Sequence, residues 1–263
     1  MASRVAVVTG ASRGIGRALT VHLASAGITV AAVGRSVKDL DELAAATGAL
    51  PFVLDVSDPP SAVEVFRTII DTVGVPDLLV NNAAVSGQSG MTWDVSDDEW
   101  WQVLEINVRG TYLCTRAVLT AMMERGSGRI VNLSSGAATY PVGLANDGVI
   151  GSAYMASKAA VNRFTEAVAG ECFTGGVRVF AISPGMVKTD MTASAFADSW
   201  NDTDMWTPVE RCLDLITDID SGMLDGLSGR YIRAAVDDWR DLALRVDDVI
   251  RHDTNALRVR DLP

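Results

Sequence analysis

The sequence Thr9-Gly10-Ala11-Ser12-Arg13-Gly14-Ile15-Gly16 follows an apolar run at residues 4–9, and apolar residues continue after it at helical spacing. Glycines in such a strand–turn–helix connection permit a tight turn, close approach of the backbone to a pyrophosphate, and close packing of helix on strand. The free N–H groups and partial positive charge of the helix N-terminus favour the same anionic group. The stretch therefore predicts a dinucleotide-binding turn, although its GxxxGxG spacing leaves a purely structural glycine turn as the alternative. The predicted contacts are Gly10, Ser12, Arg13, Gly14, Ile15 and Gly16.

Outward from this turn, short apolar or β-branched runs alternate with segments that carry helical signals. Strands of a parallel sheet read as such runs when helices cover both faces of the sheet. No linker rich in Gly and Ser and no run of charges interrupts the pattern. We therefore predict an α/β fold with a single domain over residues 1–263: a doubly wound (Rossmann) parallel sheet of seven strands with helices on both faces. The predicted strands are residues 4–9, 28–33, 50–54, 77–81, 129–133, 177–183 and 229–233.

Capping signals place several helix boundaries. Asp58-Pro59 predicts an N-cap followed by a proline in the first turn, and Ser96-x-x-Glu99 forms a capping box. Thr207-Pro208-x-Glu210 combines both devices, and Gly48 predicts the end of the helix that begins near Val37.

Two segments do not fit this alternation, and a further helix candidate lies beyond the last predicted strand. Residues 136–152 are rich in Gly and Ala, and residues 190–206 carry Trp, Phe and Met without clean periodicity. Both follow predicted strands, where loops build the ligand crevice of such sheets, and surface loops without function are the alternative. In the C-terminal extension, 236–263, residues 236–252 have helical spacing and predict one helix that packs over its own domain, with a subunit contact as the alternative.

The composition excludes several classes of protein. With 22 Lys and Arg against 33 Asp and Glu, the net charge of −11 argues against nucleic-acid binding. No run approaches eighteen apolar residues, which predicts no membrane-spanning helix. The start Met1-Ala2-Ser3-Arg4 leads directly into a strand without the regions of a secretory signal, so we expect a cytoplasmic protein. Three cysteines without CxxC spacing predict reduced thiols, and two distant histidines predict no metal site.

The end of the second predicted strand bears on which dinucleotide is bound. An acidic residue there would bind a ribose 2′-hydroxyl, but the sequence reads Gly34-Arg35-Ser36. A guanidinium offers a planar fork to a 2′-phosphate, and Arg13 could reach the same group. We therefore expect contacts from Arg35 and Ser36 and favour NADP(H), with NAD(H) as the alternative. Asp55-Val56, after the third strand, is placed to meet the adenine.

The sequence Tyr154-Met155-Ala156-Ser157-Lys158 opens a predicted helix, and its i,i+4 spacing puts the phenol and the ammonium on one face. Free tyrosine has a pKa near 10, which a nearby cation lowers. A tyrosine tuned in this way can pass a proton to or from a carbonyl oxygen while a hydride moves at carbon.

These residues together resemble the classical short-chain dehydrogenase/reductase family over nearly the whole chain up to about residue 235. The family's motifs are matched, in order, by the turn Thr9 to Gly16, Asn81-Asn82-Ala83-Ala84, Asn107, Ser135, the pair Tyr154 and Lys158, and Ser183-Pro184-Gly185-Met186-Val187-Lys188-Thr189. The resemblance implies that Tyr154 is the general acid/base and that Ser135 hydrogen-bonds the substrate oxygen. It further implies that Lys158 holds the nicotinamide ribose and that Asn107 positions a proton-relay water. The cofactor contacts it implies are Asn82, Ala83, Ala84, Tyr154, Lys158, Pro184, Gly185, Val187 and Thr189.

Three departures from the family pattern are present. Ala84 replaces the usual glycine, and Ser183 stands where asparagine is common before Pro-Gly. The interval from Ser135 to Tyr154 is several residues longer than usual, so adjacent Ser134 competes for the serine's role. Strand alternation puts the two serines on opposite faces, so both cannot serve alike.

The resemblance implies an NAD(P)-dependent oxidoreductase that interconverts a ketone and a secondary alcohol. Residues 190–206 predict a partly apolar lid and hence a small, partly hydrophobic or ring-containing substrate. The family further implies a homo-oligomer, a tetramer or dimer built on helices around residues 100–124 and 152–172. Two alternatives remain: a 3-ketoacyl-thioester reductase of fatty-acid type, against which the acidic surface argues mildly, and a non-catalytic dinucleotide-binding regulator.

Overall fold

The computed structural model describes residues 4–139, 150–197 and 200–258. Its strands are β1 (Val5–Thr9), β2 (Thr29–Gly34), β3 (Leu50–Val53), β4 (Leu78–Asn81), β5 (Gly128–Leu133), β6 (Val177–Ser183) and β7 (Tyr231–Arg233). Its α-helices are α1 (Gly14–Ser25), α2 (Val37–Thr47), α3 (Pro59–Thr72), α4 (Asp97–Leu104), α5 (Gly110–Arg125), α6 (Ser152–Glu171), α7 (Asp190–Ala195), α8 (Val209–Ser221), α9 (Trp239–Leu244) and α10 (Val246–Arg251). A π-helical turn, Glu105–Arg109, joins α4 to α5, and 3₁₀ turns lie at Gly136–Thr139 and Asp225–Leu227.

The seven strands form one parallel sheet in the order β3-β2-β1-β4-β5-β6-β7. Each predicted strand is found, with its ends within two residues of the predicted ones. The chain winds from β1 to one edge and then returns to place β4 on the other side of β1. This reversal creates the crevice in which open α/β sheets bind ligands, at the carboxyl ends of β1 and β4. The doubly wound seven-stranded sheet is therefore confirmed.

Both faces of the sheet are covered by helices, which explains why the strands read as continuous apolar runs. Ala6 and Val8 of β1 join a core with apolar residues of α1 and α8. The residue between them, Val7, joins a second core with residues of α3 and α5. All of β1 is consequently buried, as expected for a central parallel strand.

Of the four helix ends predicted from capping signals, three are found in the structure. Asp58 precedes α3 with a proline in its first turn, Ser96-x-x-Glu99 forms the capping box of α4, and Gly48 ends α2 with a left-handed φ of 74°. The cap predicted at Thr207 is wrong, because α8 begins after Pro208 and the Thr207 hydroxyl instead accepts a hydrogen bond from Met186 N at 3.2 Å. That contact ties the segment before α8 to the end of β6.

The single helix predicted over residues 236–252 is also wrong. Arg245, with φ −117° and ψ 33°, leaves the helical region and separates α9 from α10. Arg245 is exposed, and its guanidinium lies 3.1 Å from the Asp241 carboxylate. The break between the two helices therefore lies at the surface of the protein. The apolar stripe still packs on its own core, since Trp239 and Val249 are buried.

The C-terminal segment covers the edge strand β7. Tyr231 N donates to Asn255 O at 2.8 Å, and the Asn255 side-chain amide donates to Tyr231 O at 2.9 Å. Asp253 accepts hydrogen bonds from Arg230 and Arg258, which anchors the segment. The outward backbone groups of this edge are therefore satisfied within the chain. Within the described ranges, none of the helices combines the length and the apolar character needed to cross a bilayer.

Candidate active site

A cleft of about 410 Å³ opens at the carboxyl ends of the central strands. Nearly all the residues predicted from the sequence to bind cofactor or act in catalysis line it, although they come from seven separate stretches of chain. Those residues are Gly10, Ser12, Arg13, Gly14, Ile15, Arg35, Ser36, Asp55, Val56, Asn82, Ala83, Ala84, Ser135, Tyr154, Lys158, Pro184, Gly185, Val187 and Thr189. Gly16 and Asn107 are not among the lining residues and lie behind the cleft wall.

The glycine turn has a backbone that side chains would not tolerate. Gly10 and Gly14 adopt φ values of 65° and 54°, a left-handed region that favours glycine. A Cβ on Gly16 would lie 2.2 Å from Gly10 O and 2.5 Å from Asn82 Nδ2. The Asn82 amide already donates to Thr9 O at 2.9 Å and to Gly10 O at 3.1 Å. Gly16 therefore serves close packing between α1 and the turn, and Asn82 joins the loops after β1 and β4.

The N-terminus of α1 fits an anionic group. Arg13 is its N-cap residue and makes no side-chain capping bond, and the first turn contains no acidic residue. The first N–H groups of a helix have no acceptor within the helix, and they carry partial positive charge. Because Gly14 and Ile15 line the cleft, these donors suit the pyrophosphate of a dinucleotide.

We expect Gly16→Ala to weaken dinucleotide binding and to lower the free energy of unfolding by about 1–3 kcal/mol, because the new methyl group must displace backbone atoms. Gly170→Ala is the matched control, since a Cβ at Gly170 of α6 meets nothing within 4 Å. The control should leave binding unchanged and should hold or raise stability. Urea unfolding and fluorescence titration with NADPH measure both quantities. Equal behaviour of the two variants would show that the turn is not tightly packed.

Two arginines, Arg13 and Arg35, line the cleft after β1 and β2. Arg35 Nη1 is 3.8 Å from Asp55 Oδ2, and Arg13 Nη1 is 3.8 Å from Asp190 Oδ2. Both arginine side chains are more than 60 % exposed, so these loose ion pairs contribute little to stability. Both guanidiniums are therefore available to a phosphate group. Ser36 is the N-cap residue of α2, and its hydroxyl accepts a hydrogen bond from Asp39 N at 3.3 Å.

Asp55 stays ionised in this environment. Partial burial would raise the pKa of its carboxyl, but hydrogen bonds from the hydroxyl and backbone N–H of Ser57 and the charge of Arg35 outweigh that effect. The net result is a pKa below the ordinary value for Asp. The cleft therefore carries a negative charge beside Arg35 where the adenosine was predicted to lie.

Tyr154 and Lys158 lie on the first turns of α6 and both face the cleft. The Lys158 ammonium is 5.5 Å from the centroid of the Tyr154 ring and donates to Leu133 O at 2.7 Å. Only 3 % of Lys158 is exposed, and desolvation lowers the pKa of its ammonium to about 8. A buried cation thus lies next to the phenol, as the i,i+4 spacing predicts.

The lowered pKa of Lys158 predicts a pH dependence of stability. Because the folded-state pKa of about 8 lies below the unfolded value of 10.5, the unfolded chain binds more protons between these pH values, and stability rises with pH. Wild type should gain about 2 kcal/mol relative to Lys158→Met between pH 8 and pH 10. Urea unfolding of both proteins across this range measures the difference, in which the titration of shared groups cancels. Parallel curves would contradict a desolvated lysine.

Both candidate serines line the cleft, contrary to the expectation that strand alternation puts them on opposite faces, but they differ in burial and in hydrogen-bond partners. Ser134 is buried, and its hydroxyl donates to Lys158 O at 3.2 Å. Ser135 is only half-buried, and its hydroxyl accepts from Ala137 N at 3.2 Å. Ser134 thus fastens β5 to α6, while Ser135 keeps a hydroxyl proton for another acceptor. The longer interval before Tyr154 includes residues 140–149, which lie outside the described residues.

Asn107 lies in the π-helical turn and is 1 % exposed. Its side chain accepts from Val85 N and donates to Val85 O, both at 2.9 Å, and donates to Ser157 Oγ at 3.0 Å. The Ser157 hydroxyl in turn donates to Tyr154 O at 2.7 Å. Asn107 therefore links the loop after β4 to the helix that carries Tyr154. π-helical turns are frequent at functional sites, but no spacing in this sequence indicates one.

The described part of the segment at residues 190–206 borders the cleft. It contains the short helix α7, and Met191 and Phe196 line the cleft together with Met186. Phe196 packs edge-on against Trp206, with ring centroids 6.5 Å apart. Residues 198–199 lie outside the described residues. Of the other irregular segment, 136–152, Ile150 also lines the cleft, so the described parts of both segments border it.

Several lining residues were missed by sequence reasoning. Leu54 and Leu133 end predicted strands, and Val85 and Ser86 lie in the loop after the predicted strand 77–81. The rule that crevices form at strand carboxyl ends could therefore have found them. Asp39 and Ile106 lie inside helical segments, where no such signal exists. In the parts of the chain that the structure describes, no group of three or more His, Cys, Asp or Glu side chains could hold a metal ion.

A doubly wound sheet with a glycine turn and a tyrosine–lysine pair at its switch point defines a dinucleotide-dependent oxidoreductase. The family model of short chain dehydrogenases matches residues 4–200. The chain therefore belongs to the short-chain dehydrogenase/reductase family and is an oxidoreductase with an NAD(P)-binding fold.

Curated relatives agree with this assignment. A short chain dehydrogenase of Pseudocercospora fijiensis is 39 % identical over 196 residues, which are 72 % of this chain and 62 % of that protein. An NADPH-dependent pterin aldehyde reductase of Arabidopsis thaliana is 36 % identical over 203 residues, 76 % of this chain and 81 % of that protein. The aligned part thus spans less than two thirds of the length of the first relative.

Two solved structures share the fold. A putative NAD(P)-dependent gluconate 5-dehydrogenase from Beutenbergia cavernae with bound NADP superposes with a TM-score of 0.78 and 32 % identity over 89 % of this chain and 96 % of that one. A 3-oxoacyl-[acyl-carrier protein] reductase from Brucella melitensis with bound NAD has a TM-score of 0.77 and 28 % identity over 88 % of each chain. Relatives of this fold therefore bind either dinucleotide.

Proposed function

We propose that this protein is an NADPH-preferring reductase that interconverts a ketone and a secondary alcohol, with Tyr154 as the acid/base. The observation that carries the proposal is that Tyr154, Lys158 and the glycine turn line a single cleft. A proton donor and a dinucleotide-binding turn are the two elements that carbonyl reduction requires in one place.

The proton step falls to Tyr154. The desolvated Lys158 cation, held by Leu133 O at 2.7 Å, favours the phenolate and so lowers the barrier to proton donation by Tyr154. Ser135 donates a hydrogen bond to the substrate carbonyl oxygen, and Asn107 keeps the loop after β4 in register with α6. A reduced nicotinamide, when bound, supplies the hydride. Lys158 also binds the ribose of that cofactor.

We propose NADP(H) as the preferred cofactor because Arg13 and Arg35 line the adenosine end of the cleft. Their present partners, Asp190 and Asp55, are 3.8 Å away, so a phosphate carrying up to two negative charges competes well for both guanidiniums. The pterin reductase relative is named NADPH-dependent, whereas the oxoacyl reductase structure contains NAD. NAD(H) is therefore the alternative to be tested.

The substrate we propose is a small carbonyl compound with an apolar or ring-containing part. Met186, Met191 and Phe196 give the inner end of the cleft a thioether and aromatic surface, which suits apolar groups. We further propose that the protein is cytoplasmic. We also propose a homo-oligomer built on α4, α5 and α6, because Trp101 of α4 and Tyr112 of α5 are 61 % and 43 % exposed and a second subunit would cover such large apolar side chains.

A panel of ketones tests the proposal, with the loss of NADPH absorbance as the readout and the alcohol identified by mass spectrometry. We expect reduction of apolar cyclic or aryl ketones. Turnover confined to 3-oxoacyl thioesters would favour a reductase of fatty-acid type, as named for the Brucella melitensis structure. Binding of NADPH without turnover of any member would favour a non-catalytic regulator.

A further inference from the structure

Lys188 lies two residues before the lid segment, residues 190–206. It lies between Val187 and Thr189, which line the cleft, but does not line the cleft itself. Its ammonium is 5.1 Å from the centroid of the Trp200 ring and 5.4 Å from that of Trp206. Among the described residues, no carboxylate lies within 4.0 Å of this ammonium. Two indoles are therefore the partners that the structure gives to this cation.

The two indoles connect Lys188 to the wall of the cleft. Trp200 and Trp206 pack with ring centroids 5.1 Å apart at 65°, and Trp206 meets Phe196 at 6.5 Å and 88°. Phe196 lines the cleft. An aromatic cluster of Phe196, Trp200 and Trp206 thus has Lys188 on one side and the substrate space on the other.

The far end of the lid is tied to the same turn of backbone. Thr207 N donates to Met186 O at 2.8 Å, and Met186 N donates to Thr207 Oγ1 at 3.2 Å. The residue that follows the lid segment is therefore hydrogen-bonded to Met186, two residues before Lys188. The Thr207–Met186 bonds and the contacts of Lys188 thus both hold Trp200 and Trp206 close to the end of β6.

We propose that Lys188 is a positioning residue that holds the aromatic cluster over the substrate end of the cleft by cation–π contact. This inference rests on the proposed reductase function for its kinetic readout only. Two cation–π contacts to tryptophan are strong enough to change substrate affinity roughly tenfold through the position of the aromatic cluster. Lys188 therefore governs substrate affinity without touching the substrate, the cofactor or the reacting atoms.

Lys188→Met keeps the length of the side chain and removes its charge. We expect the KM for an apolar ketone to rise roughly tenfold, with kcat and the Kd for NADPH little changed. Lys188→Arg should restore the KM because a guanidinium also stacks on indoles. A rise in the Kd for NADPH would instead make Lys188 a phosphate ligand, and a fall in kcat at constant KM would give it a role in chemistry. Either result overturns the proposal.

Circular dichroism of the substrate-free protein gives a readout that needs no activity. The two indoles couple their transitions at this distance, and the resulting signal should weaken in Lys188→Met, return in Lys188→Arg and disappear in Trp200→Phe. Lys38→Met, which removes a lysine whose side chain is 83 % exposed on α2, is the control and should leave the signal intact. An unchanged signal in Lys188→Met would overturn the proposal even if no ketone is reduced, so its failure is distinguishable from that of the reductase function.

Discussion

Tyr154→Phe should lower kcat about 10²- to 10⁴-fold, the usual contribution of a positioned general acid or base. The substitution removes the phenolic O–H but keeps the ring that packs 5.5 Å from the Lys158 ammonium. The Kd for NADPH should therefore change little, and the loss should fall on turnover. Steady-state assays of NADPH oxidation, together with a fluorescence titration of cofactor binding, separate the two effects.

Tyr112→Phe is the matched control for this experiment. Tyr112 lies on α5, away from the cleft, and packs edge-on against Phe164 with ring centroids 6.3 Å apart. Loss of its hydroxyl should leave turnover at the wild-type level. Near-wild-type turnover of Tyr154→Phe, or an equal loss in both variants, would contradict the acid/base assignment.

The second large effect is expected from Arg35→Ala, which should cut the preference for NADPH over NADH about 10- to 100-fold. Hydrogen bonds to charged groups contribute about 1.5–3 kcal/mol, and NADPH alone carries the 2′-phosphate that would receive them. The affinity for NADH should be almost unchanged, because Arg35 has only a loose contact with Asp55 at 3.8 Å to lose. Isothermal titration with both dinucleotides measures the ratio.

Two further variants sharpen this cofactor test. Arg13→Ala should lower the same ratio and release Asp190, and the double variant should have no preference. Arg17→Ala removes an equal charge from an exposed position of α1 that does not line the cleft, so it should leave the ratio intact. Equal affinities of the wild-type protein for the two dinucleotides would contradict a 2′-phosphate site.

The strands and the sheet could be predicted because both faces of the sheet are covered. Burial on two sides leaves continuous apolar runs such as Val5–Thr9, and these are visible in one sequence. The break at Arg245 could not be predicted, since the helical spacing of apolar residues continues across it. The role of Thr207 could not be predicted either, because its partner Met186 is distant in sequence. A threonine hydroxyl can accept either from the first turn of a helix or from a distant backbone N–H, and the sequence does not distinguish the two.

Within the site, the residues that follow strand ends and those in motifs were predictable, but the contacts made behind the cleft wall were not. Gly16 and Asn107 belong to recognisable motifs, but only coordinates reveal that the first packs against Gly10 O and the second binds Val85. Lys188 belongs to the motif that ends at Thr189, but its contacts could not be predicted, because its two tryptophan partners lie 12 and 18 residues away at no regular spacing. Contacts of this kind can be recognised only when the three-dimensional fold is known.

Isotope transfer from cofactor to product tests the central claim most directly. NADPH that carries deuterium at the transferring position of the nicotinamide is mixed with the protein and its best ketone, and the alcohol is examined by mass spectrometry. We predict one deuterium on the carbinol carbon with the wild-type protein and a rate about 10²- to 10⁴-fold lower with Tyr154→Phe. An alcohol without deuterium, or bound NADPH with no alcohol from any ketone, would contradict the account.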